Sequence, residues 1–164
     1  MTKIEIAQAV SKVAGELNLA YAGKQPILLG VLNGAFMFCA DLAKELDCNP
    51  EIHFVKMASY DGLKSSGEVQ ELIGLAVDVS NRHVVLVEDI VDTGLTIQRI
   101  INDLTTRNVA SLKVATFLFK PNAFKGEVLP DFIGLEIPND FVVGYGLDYD
   151  GLGRELPELY VLND

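Results

Sequence analysis

The chain has 164 residues, 49% of them hydrophobic, and a formal net charge of −10, which suits one ordinary domain with a buried core. A surface this acidic repels phosphate backbones and anionic lipid head groups, so we expect neither nucleic acid nor a membrane as partner. A small anion can still bind such a protein when a divalent metal ion stands between them.

Nothing in the sequence indicates export or a zinc site. No apolar run reaches the roughly 18 residues that span a bilayer, and the first residues lack the basic and apolar regions of a secretory signal. We therefore expect a cytoplasmic protein. Cys39 and Cys48, predicted on opposite sides of one helix, form no CxxC motif, and His53 and His83 are isolated. Structural roles are predicted for all four.

The first third of the chain alternates predicted helices and strands. The "TKIE" motif fits a capping box with Thr2 as N-cap, and apolar residues follow it at helical spacing. The apolar run 26–32, "PILLGVL", is typical of a strand buried on both faces. Segment 35–46 predicts a helix and the alternating segment 51–60 a strand. The polar segment 61–70 is either a mobile loop or a plain surface connection.

The middle of the chain carries the firmest helix. After a predicted strand at 71–77, the segment "VVLVEDIVDTGLTIQRIINDL" (84–104) begins as a buried strand and ends as an amphipathic helix. The helix is predicted from an apolar stripe at spacing i, i+3, i+4, i+7, made by Ile97, Ile100, Ile101 and Leu104.

The last third has strands without intervening helices. A buried strand is predicted at 111–119, and shorter ones near 132–137, 141–146 and 159–162. The alternation of strands and helices predicts an α/β fold, a parallel twisted sheet flanked by helices. The final strands predict a small antiparallel subregion. With no repeat or linker, we expect a single domain over 1–164.

Three loops at the predicted carboxyl ends of strands carry polar residues, and ligands of open parallel sheets bind at that edge. These loops are Asn33-Gly34, the segment 88–96, and the residues from Lys120 onward. In the second loop, two threonines and a glycine precede the helix, and free backbone N–H groups there can cradle a phosphate. The alternative is a simple N-cap with a turn glycine. Neither a Walker A loop nor a Rossmann fingerprint is present.

The acids of the same loop favour a phosphorylated sugar. Glu88 and Asp89 interrupt a Val-rich strand at its end, where unpartnered carboxylates are costly unless they meet solvent, a metal or hydroxyl groups. Ribose diols and Mg²⁺ both accept carboxylate oxygens well. Asp92 lies one step from the phosphate cradle and could handle a proton. The segment therefore predicts carboxylates on a sugar and amides on its phosphate.

These residues resemble those of a known family. "VVLVEDIVDTGLT" is similar to the 5-phosphoribosyl-1-pyrophosphate (PRPP) signature of purine phosphoribosyltransferases, and more narrowly of the hypoxanthine and hypoxanthine-guanine enzymes. "GVLNGAFMFCADL" resembles the family's pyrophosphate loop, and "VKMASYDG" the start of its flexible loop. "LFKP", "DFVVGYGLDYD" and "GRELP" resemble its purine-binding lysine, aromatic hood and final arginine segment.

The resemblance implies a type I phosphoribosyltransferase-like fold, with a hood contributed mainly by about residues 130–164. It implies a purine salvage enzyme, a glycosyltransferase that moves phosphoribose from PRPP to N9 of a 6-oxopurine with Mg²⁺ as cofactor. Hypoxanthine, and guanine with it, would give IMP or GMP and pyrophosphate. The implied partners are these small molecules and further copies of the chain, as a homodimer or homotetramer.

The resemblance also assigns roles to residues. Asp92 would act as general base or as hydrogen-bond partner of purine N7. PRPP would be bound by the acidic loop, namely Glu88, Asp89, Asp92, Thr93, Gly94, Leu95 and Thr96. Pyrophosphate would meet Asn33, Gly34 and Arg154. The purine would meet Lys120, Phe141, Val142 and Asp148. Magnesium would meet Glu88, Asp89 and Asp148. The flexible loop that closes the site would begin at Ser59 and Tyr60.

Two departures and three alternatives stay open. Asn33 stands where the family often has a basic residue, and the chain begins at its first helix, whereas many relatives have an earlier strand that pairs with the hood. One alternative is a regulatory protein of the same fold that binds PRPP or a nucleotide as a signal. A second is an enzyme that prefers xanthine. A third is a phosphate-receiving signalling domain, although its acid pair would lie near the chain start.

Overall fold

A computed structural model describes residues 1–60 and 69–162, with the backbone alone at 58–60 and 69–73. The predicted connection at 61–70 therefore falls almost wholly outside the described residues, as do the side chains of Ser59 and Tyr60. Three helices lie in the described ranges: α1 (Lys3–Ala20), α2 (Phe36–Lys44) and α3 (Leu95–Thr105). Their strands are β1 (Ile27–Val31), β2 (Glu51–Tyr60), β3 (Val69–Ile73), β4 (His83–Val91), β5 (Ser111–Phe119), β6 (Phe132–Glu136), β7 (Val142–Val143) and β8 (Tyr160–Val161).

Six strands form one sheet in the order β3-β2-β1-β4-β5-β6. The neighbouring strands β2-β1-β4-β5-β6 all pair in parallel. Strand β3 pairs antiparallel with β2 and forms one edge of the sheet. Every residue of β1 is buried, as expected of a central strand with helices on both faces. The predicted α/β fold with a parallel sheet is confirmed.

The sheet separates two cores because successive strand residues face opposite sides. On one face α1 and α2 pack over Leu28, Val85 and Phe117. On the other face the apolar stripe of α3 packs over Leu29 and Leu86. The loops at the carboxyl ends of β1, β4 and β5 are thus held between two packed layers, which places the site residues on rigid supports.

Local patterns placed most elements correctly. The capping box of α1 is present, because the Thr2 side chain accepts from the Glu5 N–H and the Glu5 side chain accepts from the Thr2 N–H. The stripe of α3 is buried as predicted. In the described ranges no helix is both long and apolar enough to cross a bilayer.

Three local predictions are wrong. Cys48 lies beyond α2, which ends at Lys44, so the two buried free thiols do not share a helix. The strand predicted at 71–77 ends at Ile73, since Gly74 has a φ of 93° that leaves strand geometry. The strand predicted at 141–146 spans only Val142–Val143, because positive φ values begin at Gly144.

The last third of the chain divides between two sheets. Strand β6 extends the main sheet, whereas β7 and β8 pair antiparallel as a second, two-stranded sheet. The backbone of Met1 exchanges hydrogen bonds with Leu159 in both directions, at 2.8 and 3.1 Å, so the start of the chain is tied to this second sheet. Tyr145 and Leu147 belong to the same core as α1. A hood over about 130–164 within one domain stays a prediction.

Candidate functional site

Three adjoining cavities lie at the carboxyl edge of the sheet, among the loops after β1, β4 and β5. The first, about 380 Å³, is lined by the loop after β1 and reaches Asp148 and Arg154. The second, about 240 Å³, contains Lys120 and Phe141. The third, about 90 Å³, surrounds Thr93. The cavities share walls, because acids of β4 and its following loop line all three. An elongated ligand could therefore occupy them together.

Glu88 is the deepest acid of the site, with only 6% of its surface exposed. Burial raises its pKa well above the usual value, the nearby charge of Asp89 raises it further, and a hydrogen bond with the Asp89 backbone partly opposes this. A carboxylate kept from water gains much when a cation or hydroxyl groups supply partners. Glu88 is thus suited to a ligand with such groups.

Asp89 forms the second half of the acidic pair. Burial raises its pKa to about 6, although the Ile90 N–H, which donates to Asp89 Oδ1 at 2.8 Å, lowers it. The Arg154 guanidinium also lowers this pKa, and the Asp148 carboxylate raises it. Gly34 lies directly against the carboxylate, since a Cβ there would stand 1.6 Å from Asp89 Oδ2. The acidic pair and the loop after β1 therefore form one wall.

The third cavity has the construction of a phosphate cradle. Gly94, with a φ of 81°, is the N-cap residue of α3, and no side chain caps this helix end. Thr93 Oγ1 accepts from the Leu95 N–H only at 3.5 Å. The described lining includes Thr93 and Thr96 but neither lysine nor arginine. An anion here would rely on amide N–H groups, hydroxyls and the positive end of the helix dipole.

Lys120 and Asp92 form an ion pair in the lining of the second cavity, in which the lysine is buried and the Asp92 side chain is half-exposed. The Lys120 ammonium donates to Asp92 Oδ2 at 2.9 Å, and Lys120 is only 7% exposed. Lys120 is therefore not an ordinary surface lysine at the end of β5. An ammonium has three donors, so two stay available for a carbonyl oxygen in the cavity.

Residues of the segment 141–148 supply further walls of that cavity. Phe141 is 53% exposed, and its ring meets Tyr149 edge to face at 5.9 Å between centroids. Val142 and Leu147 complete the apolar part of the lining. A flat heteroaromatic ligand suits a slot with an exposed ring on one side and a buried ammonium at its end.

Arg154 contributes to the lining of the first cavity. Its guanidinium donates to Asp148 Oδ1 at 2.5 Å and to the Gly146 carbonyl at 2.7 Å. Asp148 also accepts from the Gly151 N–H at 2.8 Å. Among the described residues that line this cavity, Arg154 is the one cation. Asn33, joined to Leu32 by a cis peptide bond, supplies only neutral groups.

A metal beside Glu88 and Asp89 would meet two protein carboxylates of the first cavity and not a complete cage. In the ranges 1–60 and 69–162, no three histidine, cysteine, aspartate or glutamate side chains come together in a metal-binding group. Mg²⁺ commonly binds through one or two carboxylates, while water and substrate phosphates supply the rest. Glu88 and Asp89 fit that arrangement, since neither is neutralised by a direct ion pair in the described residues.

The sequence pointed to most of the polar lining but missed several apolar contributors. Ile90 and Leu147 line the second cavity, and Met57 lines the first. Gly146 was also missed, although a Cβ there would stand 2.1 Å from the Gly34 carbonyl oxygen. Its place between Tyr145 and Leu147 in "GYGL" was the available signal, because paired glycines often mark close backbone approach.

Comparison with known proteins agrees with this geometry. The family model for the phosphoribosyl transferase domain matches residues 2–150. A hypoxanthine-guanine phosphoribosyltransferase of Streptococcus pneumoniae (strain ATCC BAA-255 / R6) is 42% identical over 161 residues, which cover 98% of this chain and 89% of that protein.

Solved structures show the same likeness. A hypoxanthine phosphoribosyltransferase from Staphylococcus aureus aligns with a TM-score of 0.91 and 37% identity, over 99% of this chain and 89% of its own. A Trypanosoma cruzi hypoxanthine phosphoribosyl transferase, solved in a study of its C-terminal region, oligomeric state and enzymatic activity, aligns with a TM-score of 0.88 and 36% identity, over the same shares. From its fold, its site and this similarity over nearly its whole length, the chain belongs to the phosphoribosyltransferase family, as a relative of the hypoxanthine-guanine members.

Proposed function

We propose that this chain is a purine salvage enzyme that transfers phosphoribose from PRPP to N9 of a 6-oxopurine and releases pyrophosphate. The observation that carries the proposal is the meeting of the three cavities around Glu88 and Asp89. One cavity offers amides, one a buried ammonium beside an exposed ring, and one an arginine. These match the phosphate, the base and the pyrophosphate of the reactants.

PRPP is placed with its 5′-phosphate in the cradle of Thr93, Gly94, Leu95 and Thr96. Its ribose diol then lies at Glu88 and Asp89, whose pKa values are raised chiefly by burial and which could accept hydrogen bonds from the diol or bind a metal. Its pyrophosphate extends into the cavity of Asn33, Gly34 and Arg154. With Asn33 neutral, Arg154 is the side-chain charge that meets the leaving group.

Magnesium fits the acidic pair, and we propose Mg²⁺ as the cofactor. Glu88 and Asp89 would hold it from the protein side, and Asp148 would act through water, because Arg154 already occupies one of its oxygens. When bound, Mg²⁺ supplies positive charge to the leaving pyrophosphate. The carboxylates around the sugar also favour the positive charge that develops there as its bond to pyrophosphate breaks.

The base is placed in the second cavity with its ring against Phe141 and its edge at the backbone of Val142. Lys120 donates to the purine O6, and Asp92 lies at N7, as a proton acceptor or a hydrogen-bond partner. The two remaining donors of this ammonium would find no acceptor in the amino group of adenine, so 6-oxopurines are preferred. Ser59 and Tyr60 would open the loop that closes over the reactants and excludes water.

The test is an assay with PRPP, Mg²⁺ and each of hypoxanthine, guanine, xanthine and adenine. We expect nucleotide from hypoxanthine and from guanine, and little from adenine. Product from xanthine alone would favour the xanthine alternative. Binding of PRPP without product from any of the four bases would favour the regulatory alternative.

We further propose that the chain works in the cytoplasm as a homodimer or homotetramer. In the described residues, large apolar side chains are partly exposed on α2 and on the neighbouring strand β2, namely Phe36, Ile52 and Phe54. Burying them between copies would remove apolar area from water. Light scattering after size exclusion should give a mass of at least twice 17.9 kDa, and a monomer at all concentrations would contradict the proposal.

A further inference from the structure

The segment after β5 folds back from the base cavity onto the phosphate loop, and Phe124 occupies the space between them. We propose that Phe124 is a positioning residue, whose ring holds the phosphate loop 93–96 in the shape that binds the 5′-phosphate. This inference rests on the proposed function, because it assigns a support to the phosphate subsite of that reaction.

The first observation is the close packing of the ring against backbone. A Cβ on Gly94 would stand 2.4 Å from Phe124 Cε2, and a Cβ on Gly126 would stand 2.8 Å from its Cζ. The ring therefore packs against two residues without side chains. It also meets Phe119, the last residue of β5, edge to face at 5.4 Å between centroids. The ring thus connects the end of a core strand to the N-cap residue of α3.

The second observation is a pair of backbone hydrogen bonds on either side of Phe124 along the chain. The Lys120 N–H donates to the carbonyl of Val91, the last residue of β4, at 2.9 Å, and the Lys125 N–H donates to the Thr93 carbonyl in the phosphate loop at 3.0 Å. The segment that carries Phe124 is therefore fastened both to the end of β4 and to the loop that follows it.

These contacts matter because the cradle has few other supports. No side chain caps α3, and Gly94 is at a φ of 81°, a region that glycine leaves at little cost. A loop that must first be ordered binds its ligand more weakly than one held in the binding shape. Phe124 removes that cost by limiting the positions open to Gly94, and it touches no reactant in doing so.

The test compares the binding of inosine 5′-monophosphate (IMP) with that of inosine, which lacks the phosphate. Calorimetric or competition measurements give the ratio of the two affinities, which isolates the phosphate subsite. For Phe124→Ala we expect that ratio to fall about tenfold, since the cost of ordering the loop returns only when a phosphate binds. Inosine binding should change by less than about twofold, because the base and ribose subsites keep their contacts.

Two further variants keep the result interpretable. Phe124→Leu retains an apolar side chain against Gly94 and should preserve most of the ratio. Leu129→Ala, at a 60% exposed position of the same segment, should leave it unchanged. If Phe124→Ala binds both ligands equally less well, the ring serves general packing and the inference is overturned. If the unaltered protein itself gains nothing from the phosphate, the proposed phosphate subsite fails before Phe124 is in question.

Discussion

At the scale of single residues, the ion pair between Asp92 and Lys120 is the feature closest to the proposed chemistry. Lys120 reaches Asp92 with one of its three donors and is shielded from water. The ion pair therefore joins Lys120, which is proposed to select the base, to Asp92, which is proposed to handle the proton of the base.

The first prediction concerns the proton. Asp92→Asn keeps a hydrogen-bonding oxygen but removes the group that can accept a proton. We expect kcat to fall by about 100-fold or more, the usual scale of general acid–base catalysis, while the Kd of PRPP changes by less than about threefold. Steady-state kinetics and calorimetry measure the two quantities. Asp103→Asn, an exposed site that pairs with Arg107, is the matched control. Equal losses in kcat and in PRPP affinity would contradict a proton-handling role.

The second prediction concerns pH and the free energy of unfolding. The pKa of Asp89 is raised from 3.8 in the unfolded chain to about 6 in the folded protein. Below pH 3.8 both states hold the proton, so this carboxyl does not reduce the free energy of unfolding. Between the two values the folded protein holds a proton that the unfolded chain has released. Stability therefore falls as pH rises through this window, and the full cost persists above about pH 6.

Asp89→Asn removes that cost, since an amide stays neutral when buried. At neutral pH and without metal we expect the variant to be more stable by roughly 2–3 kcal/mol, with a flatter dependence on pH. Urea unfolding in a chelator, from acid to neutral pH, measures both quantities. Glu88 is still present in the variant, so the free energy of unfolding still depends on pH at higher pH. A variant less stable than the parent at neutral pH would show that Asp89 is stabilised by partners other than those described.

At the scale of elements, the loop between β1 and α2 depends on its glycine. A Cβ on Gly34 would stand 1.6 Å from Asp89 Oδ2, and a Cβ on Gly146 would stand 2.1 Å from the Gly34 carbonyl oxygen. The loop between β1 and α2 therefore lies between β4 and the backbone at Gly146, and its shape depends on both.

The third prediction compares two glycine substitutions. Gly34→Ala should lower the affinity for pyrophosphate by about tenfold or more, because either the loop or Asp89 must move. Gly15→Ala is the matched control, since Gly15 lies inside α1 with nothing within 4 Å of an added Cβ. It should raise stability by about 0.5–1 kcal/mol, the difference in helix propensity, and leave pyrophosphate binding unchanged. Equal effects of the two substitutions on binding would show that the loop tolerates a side chain.

At the scale of the whole molecule, the net charge affects how the substrate binds. A protein of net charge −10 repels a polyanion such as PRPP, and the described first cavity presents one cation among several carboxylates. The negative charge of PRPP therefore has to be partly neutralised, before or during binding, by a divalent metal ion.

The fourth prediction follows from that repulsion. Removal of divalent metal with a chelator should weaken PRPP binding by at least about tenfold, and excess Mg²⁺ should restore it. Calorimetry with and without metal measures the effect. Hypoxanthine, which carries no charge, is the control ligand and should bind the nucleotide-free protein with little dependence on metal. PRPP affinity that is the same in both conditions would exclude the metal bridge.

The sequence by itself determined the elements and the chemical character of the site. The capping box of α1, the apolar run of β1 and the stripe of α3 are signals between residues a few positions apart. Likewise, the crowding of Glu88, Asp89 and Asp92 before a helix start needs no knowledge of the fold. Such patterns are local, so they can be interpreted without the rest of the chain.

Only the tertiary structure decided which distant groups meet. Lys120 contacts Asp92 across 28 positions, Gly34 lies against Asp89, and Phe124 against Gly94. These contacts follow from β1, β4 and β5 being neighbours in the sheet, and that order depends on how the apolar faces pack together. No periodicity along the chain predicts this strand order. The distances between residues far apart in the sequence are set by the packing of the folded core and not by their separation along the chain.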